Sequence, residues 1–383
     1  MAYEQTQLSL TPWTPTPTQI PLEWQTFITK ETEIGSNYMS DERRVGDLLC
    51  SWGLPWPVVV AGYLLSFGEE VLYRANLQSA TEVLEHHRNA IEYIDNIDDD
   101  DLLTLLNPSY EDLGALLIAI AFHYLDLLKQ SKGHAYIQKD VVQIEQIGST
   151  LLSLVKRLGM WSFKRALEDL LLQLCHPQQF LADAQQHQSI RQQDLSKLDE
   201  ICQLFIRYYR ETTQNPIMVT YTICGTAGLR RRQQDAHTTV TSEKTQLTGF
   251  DLATFDILVP TVSDCYAALG VFNQLGYIQD QLTDHIANPK PNGYSHIALG
   301  LVLNTQEPHL QYVPWLRNGS YICQIQISTQ VMQAITNYGC LYPSCYHLYT
   351  KALQQEQEPL LSSYQVWQSK EGRVLETIKA AII

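Results

Sequence analysis

Residues 264–303 read DCYAALGVFNQLGYIQDQLTDHIANPKPNGYSHIALGLVL, and the change of period within this stretch decides the fold. Up to Leu275 the apolar residues suit a helix, recurring at three- and four-residue spacing. From Ser295 to Leu303 the run is short, apolar and bounded by turn residues, which reads as a strand. Between them Pro289, Pro291 and the pair Asn292-Gly293 make a turn signal of the kind that joins strands. The turn by itself needs neither Lys290 nor Tyr294. Two readings therefore stand: a plain turn, or a loop that presents a cation, an amide and an aromatic face to a flat, anionic ligand.

The same alternation extends to both sides. "IMVTYTICG" (217–225), "FDILVPTV" (255–262) and "YICQIQIST" (321–329) are rich in β-branched and aromatic residues and read as strands. "TQVMQAITNYG" (329–339) returns to a helix pattern. Before residue 210 nearly every segment is helical by period, as in "TEVLEHHRNAIEYI" (81–94), "LGALLIAIAFHYLDLLK" (113–129), "IGSTLLSLVKRLGMWSFKRALEDLLLQLC" (147–175) and "LSKLDEICQLFIRYYRET" (195–212). The expected architecture is α+β and multi-domain: a loose Thr/Pro-rich arm at 1–22, an all-helical domain at 23–200, a mixed α/β domain with about five strands at 201–355, and a helical tail at 356–383.

Composition narrows the function. A 383-residue chain with 45% apolar and 17% charged residues is globular, and its net charge of −15 argues against a nucleic-acid partner while leaving room for a local basic pocket. The eight cysteines stand singly, with no C-x-x-C pair, and read as reduced thiols of a cytoplasmic protein. The N-terminus lacks a signal-peptide pattern, and no run reads as long enough to span a bilayer, so no membrane partner is expected. Asp98 to Asp101 form an acidic run that reads as a solvated helix start rather than a cation site.

The quoted stretch, followed by "CQIQISTQVMQAITNYG", resembles the synthetase domain of the RelA/SpoT family of alarmone enzymes, which transfer pyrophosphate from ATP to the ribose 3' hydroxyl of GTP or GDP. Upstream, "LLSLVKRLGMWSFKRALEDLLLQLCHPQQF" (151–180) is similar to a helical stretch of the same family, and "GLPWPVVVAGYLLSFGEEVL" (53–72) to part of its HD-type hydrolase domain. The likeness covers most of residues 40–351, and the family's C-terminal regulatory domains are expected to be absent. It implies a nucleotidyltransferase-like fold for the α/β domain.

The departures shape the expected activity. The hydrolase metal of the family is held by His and Asp ligands. Ungapped comparison puts Asp41 at the first of these, Leu65 and Ser66 at the His-Asp pair and Phe122 at the distal Asp, while Glu69 and Glu70 match the catalytic acidic pair. Leucine and phenylalanine offer no ligand atom. Hydrolysis is expected to be lost, with no hydrolase Mn or Zn, and His86, His87 and His123 read as helical surface residues. In the synthetase, Asp256 matches the Mg2+-binding Asp, but the catalytic Glu falls on Gln324 and the Arg of that motif on Ser328. The resemblance also places a Lys at Thr283 and a His at Ala298. Arg230, Arg231 and Arg232 are either a solvated helix face or a clamp for ATP phosphates. Asp284, Lys290, Asn292, Gly293 and Tyr294 all match the nucleoside loop, where the resemblance implies that the Tyr stacks on guanine.

Three functions follow from this pattern. The first is a pseudoenzyme that binds a purine nucleotide (GTP/GDP, ATP or alarmone), with Mg2+ where the nucleotide is bound, or acts through a protein partner. The second is an active, divergent pyrophosphokinase that uses Asp256 with a replacement acid such as Glu243 or Asp251. The third is a structural partner without nucleotide.

Overall fold

In a computed structural model of the chain, the structure describes residues 14–22, 25–26, 28–29, 40–65, 113–133, 139–238, 249–278, 282–288, 295–303, 322–343 and 345. The chain divides into two compact units. One holds Thr14–Cys175 together with the stretch that begins at Tyr338, and the other spans His176–Asn337.

The first unit is helical: α1 (Ser40–Ser51), α2 (Trp56–Tyr63), α3 (Leu113–Ser131), α4 (Val141–Arg157) and α5 (Trp161–Cys175). Its core gathers Leu49, Val59, Val60, Leu117, Ile120, Leu151, Leu154 and Leu167, all fully buried. Asp140 starts α4 with a capping box, its carboxylate accepting from Gln143 N at 2.8 Å. Where the sequence suggests a loose arm, Thr18 is tied down instead, donating from its backbone N to Cys50 O at 3.1 Å and from its hydroxyl to Leu54 O at 2.5 Å. Contrary to the expectation from apolar run length, α3 is long and apolar enough to cross a membrane, but 72% of its apolar window is buried inside the protein. Burial in a helical core accounts for that composition.

The second unit opens with α6 (Pro177–Thr213), a helix of 37 residues, so residue 200, where the helical region is expected to end, lies inside a continuous helix. Then come β1 (Met218–Ile223), α7 (Thr226–Thr238), α8 (Gly249–Leu252), β2 (Ala253–Val259), α9 (Val262–Leu275), β3 (Gly276–Ile278), β4 (Thr283–Asp284), β5 (Ile297–Leu303), β6 (Ile322–Thr329) and α10 (Gln330–Tyr338). Five strands run in the order β1-β2-β6-β5-β3, and the two-residue β4 pairs with β5 as a sixth. Only the β2–β6 pair is parallel. The sheet is thus mixed and α/β, as expected.

Strand alternation splits the sheet into two unlike faces. Phe255, Ile257, Cys323, Ile325, Ile327, Ile297, Leu299 and Leu301 point into one core, where Phe205 of α6 and Phe272 of α9 meet at 5.1 Å between ring centroids. Leu198, Ile201, Phe205 and Tyr209 give α6 its three- and four-residue stripe against this face, and Cys265, Ala268, Phe272 and Leu275 do the same for α9. Both helices therefore cover the apolar face. The other face carries the polar residues.

Candidate functional site

The polar face is built by register. One rung across it runs Thr220, Asp256, Gln326, Ala298 and Thr283 on β1, β2, β6, β5 and β4. The next rung runs Thr222, Thr254, Gln324 and Gly300. Asp256 is half-buried, and the hydroxyl of Thr222 donates to its Oδ2 at 2.8 Å. That bond is diagonal, because Thr222 faces Thr254, two residues before Asp256. Gln324 stands on the same face on the neighbouring strand, opposite Thr254, and so presents a neutral amide beside the carboxylate. Ser328, opposite Leu258, is buried.

Asp284 has a task that the sequence did not suggest. Its Oδ1 accepts from the backbone N–H groups of Ile286 and Ala287, both at 2.9 Å, and its Oδ2 from the hydroxyl of Tyr266 at 2.9 Å. Burial, aided by the bond to Asp284 and its charge, pushes the Tyr266 phenol up to about 12. Three donors on one carboxylate make Asp284 the anchor of the turn that follows β4. Lys290, Asn292, Gly293 and Tyr294 themselves lie outside the described residues.

The arginine run sits on α7, which follows the edge strand β1 beside the strand of Asp256. Leu229 is buried with Ile190 and Leu252, and Gln233 donates to Gln186 at 3.0 Å, so this side of α7 packs on α6. Arg231 is exposed, while Arg230 and Arg232 are half-buried, and Arg230 holds Nη1 buried without a hydrogen-bond partner among the described residues.

In the helical unit Leu65 packs against the apolar core, and Phe122 on α3 is 37% exposed. His123, read from sequence as a surface residue, is instead buried, 1% exposed and edge-on to Phe122 at 5.5 Å. Consecutive helical residues are about 100° apart, so turning Phe122 outward turns His123 inward. Ser66, Glu69, Glu70, His86, His87, Asp98–Asp101 and Glu243 lie outside the described residues, as do the side chains of Asp41 and Asp251. Sequence reasoning missed Thr222, Gln326, Tyr266 and the pair His285 and His296. Two-residue spacing from Asp256, Gln324 and Ala298 was the available signal for the strand positions among them.

Residues 229–351 match the family profile described as "Region found in RelA / SpoT proteins". A GTP pyrophosphokinase of Haemophilus influenzae is 25% identical over 214 residues, 55% of this chain and 27% of that protein. A GTP pyrophosphokinase of Escherichia coli is 43% identical over 49 residues, 12% of this chain and 7% of that protein. The matched part of the chain thus spans at most about a quarter (27%) of these relatives' length. Among solved structures, small alarmone synthetase 1 of Bacillus subtilis bound to its product pppGpp aligns with 51% of this chain and 96% of its own, at 17% identity and a TM-score of 0.32. Small alarmone synthetase 2 of the same organism aligns with 52% of this chain and 94% of its own, at 19% identity and a TM-score of 0.31. At those scores the superpositions add nothing to the strand order above.

Proposed function

Because the chain belongs to the RelA/SpoT family, we propose that its α/β unit binds a purine nucleotide on the polar sheet face and has lost most or all of the pyrophosphokinase step. The observation that carries this reading is the setting of Asp256. Its neighbours on the face are Thr220, Thr222, Thr254, Gln324 and Gln326, so Asp256 is the face's one carboxylate among the described residues. Mg2+ is commonly held by one or two carboxylates together with substrate phosphates, and Asp256 fits as a single such ligand. Bound there with a nucleotide, the ion supplies neutralisation of phosphate charge. Gln324 donates and accepts hydrogen bonds but takes no proton from a ribose hydroxyl near neutral pH. The protein's own residues can therefore position a nucleotide, with Thr222 orienting the Asp256 carboxylate, while the base for transfer is missing at Gln324. In the helical unit, Leu65 and Phe122 likewise supply no ligand to an HD-type metal site, which supports loss of hydrolysis.

Incubation with ATP, Mg2+ and GTP or GDP, read by mass spectrometry, tests the loss of transfer. The expected result is unchanged nucleotides, and a pyrophosphorylated product overturns it in favour of a divergent, active enzyme. Calorimetric titration with GDP, GTP and the alarmone tests binding. Tyr294→Ala is expected to weaken it roughly tenfold or more, the scale of one base–aromatic stack.

A further inference from the structure

Phosphates bind best to cationic donors, and the rungs of the polar face offer the neutral amides of Gln324 and Gln326 but neither Lys nor Arg among the described residues. The strand register supplies such donors one step along. Thr283 stands opposite Ala298, and the antiparallel ladder continues so that the backbone N–H of His285 donates to His296 O at 2.9 Å. Two residues along a strand restore the same face, so both histidines share the side of Thr283, Ala298 and Asp256. Ile297, between His296 and Ala298, is fully buried in the opposite core. The two imidazoles meet edge to face, with centroids 5.6 Å apart at 90°. His296 is 2% exposed and His285 half-buried, so His285 forms the outer member of the pair. The β5–β6 pairing ends at Ile297 opposite Ile327, and one step further in the same register Ser328 would stand opposite His296, one strand nearer Asp256.

We propose that His285 and His296 form an anion subsite that takes the phosphate chain of the bound nucleotide, displaced one rung from Thr283 and Ala298. Each imidazole carries at least one N–H donor in either protonation state, and a phosphate draws a second proton onto it through charge-assisted hydrogen bonds. Among the described residues the sheet strands carry two carboxylates. Asp284 faces the other side, held by Tyr266 and two turn amides, and Asp256 lies two strands from β5. A bound nucleotide would then run its phosphates across the histidines towards Asp256.

This subsite rests on the nucleotide reading, and three probes separate the two: guanosine, GDP and inorganic tripolyphosphate, each titrated into wild type, His285→Gln and His285→Lys. Wild type is expected to bind GDP roughly tenfold tighter than guanosine, and His285→Gln to erase that difference without altering guanosine affinity. His285→Lys is expected to retain it. The half-buried His285 is varied rather than His296 so that folding is kept. An unchanged GDP preference in His285→Gln overturns the subsite. If GDP and guanosine fail to bind but tripolyphosphate binds wild type and not His285→Gln, the subsite stands and the nucleotide reading falls. If tripolyphosphate also fails to bind wild type, the subsite falls with it.

Discussion

At the scale of single residues, Asp284 shows how a side chain that matches a family motif can carry a structural task of its own. Its carboxylate holds two turn amides and the Tyr266 phenol, which is 41% exposed and reaches across from α9. The bond fixes the turn at 285–288 that follows β4. Tyr266→Phe removes only the hydroxyl, so it is expected to cost about 1 kcal/mol, the net worth of one hydrogen bond, measured as a shift of the urea midpoint. Asp284→Ala leaves two amides and the phenol without their acceptor and is expected to cost more, about 2 kcal/mol. Equal losses in the two variants would show that the turn amides find other partners.

At the scale of elements, the strands were legible because β-branched and aromatic residues cluster in "IMVTYTICG", "FDILVPTV" and "YICQIQIST"; the observed β1 and β6 fall within those runs, and β2 overlaps its run but starts two residues earlier, at Ala253. The length of α6 was not legible. Its first half, "PQQFLADAQQHQSIRQQDLSK", is dominated by Gln, Ala and Asp, so no apolar stripe marks it, although Gln and Ala favour helix. Register was also out of reach, since a period of two assigns faces but not partners. Hence Asp256 and Gln324 were found as positions, while the rung that joins Asp256 to Gln326 and the pairing of His285 with His296 were not. The start of α9 is a case where the sequence signals a helix without marking the residues that cap it. Thr261 and Asp264 form a reciprocal capping box, with Asp264 N donating to Thr261 Oγ1 at 3.2 Å and Thr261 N to Asp264 Oδ2 at 3.2 Å. Asp264 also accepts from Asn215 at 3.1 Å. Thr261→Ala and Asp264→Ala are each expected to cost about 1 kcal/mol, and the double variant less than their sum, because both break one box. Strict additivity in a urea double-mutant cycle would mean that the two bonds act separately.

At the scale of the whole molecule, the cysteines link composition to pH. Five of the eight are buried, spread over both units: Cys202, Cys265 and Cys323 in the α/β unit, Cys340 and Cys345 in the helical one. Burial pushes the Cys202, Cys265 and Cys345 thiols up to about 12, with nearby Asp199 and Asp264 adding to the first two. Burial raises Cys323 and Cys340 as well. A folded-state value above the unfolded one means that the thiol form is favoured by folding. That contribution is complete below the ordinary thiol value of about 8.5 and is lost as pH rises towards 12, because the unfolded chain can ionise where the folded chain cannot. The thermal midpoint is therefore expected to fall between pH 9 and 11. Cys202→Ala removes one of the ionising groups, so its midpoint should fall less steeply than that of wild type over the same range, whatever its starting stability. Parallel slopes would show that Cys202 is not part of the alkaline loss. In native protein near pH 8, a thiol-reactive dye is expected to modify the half-buried Cys50, Cys175 and Cys224 first, and the five buried thiols only as fast as the protein opens.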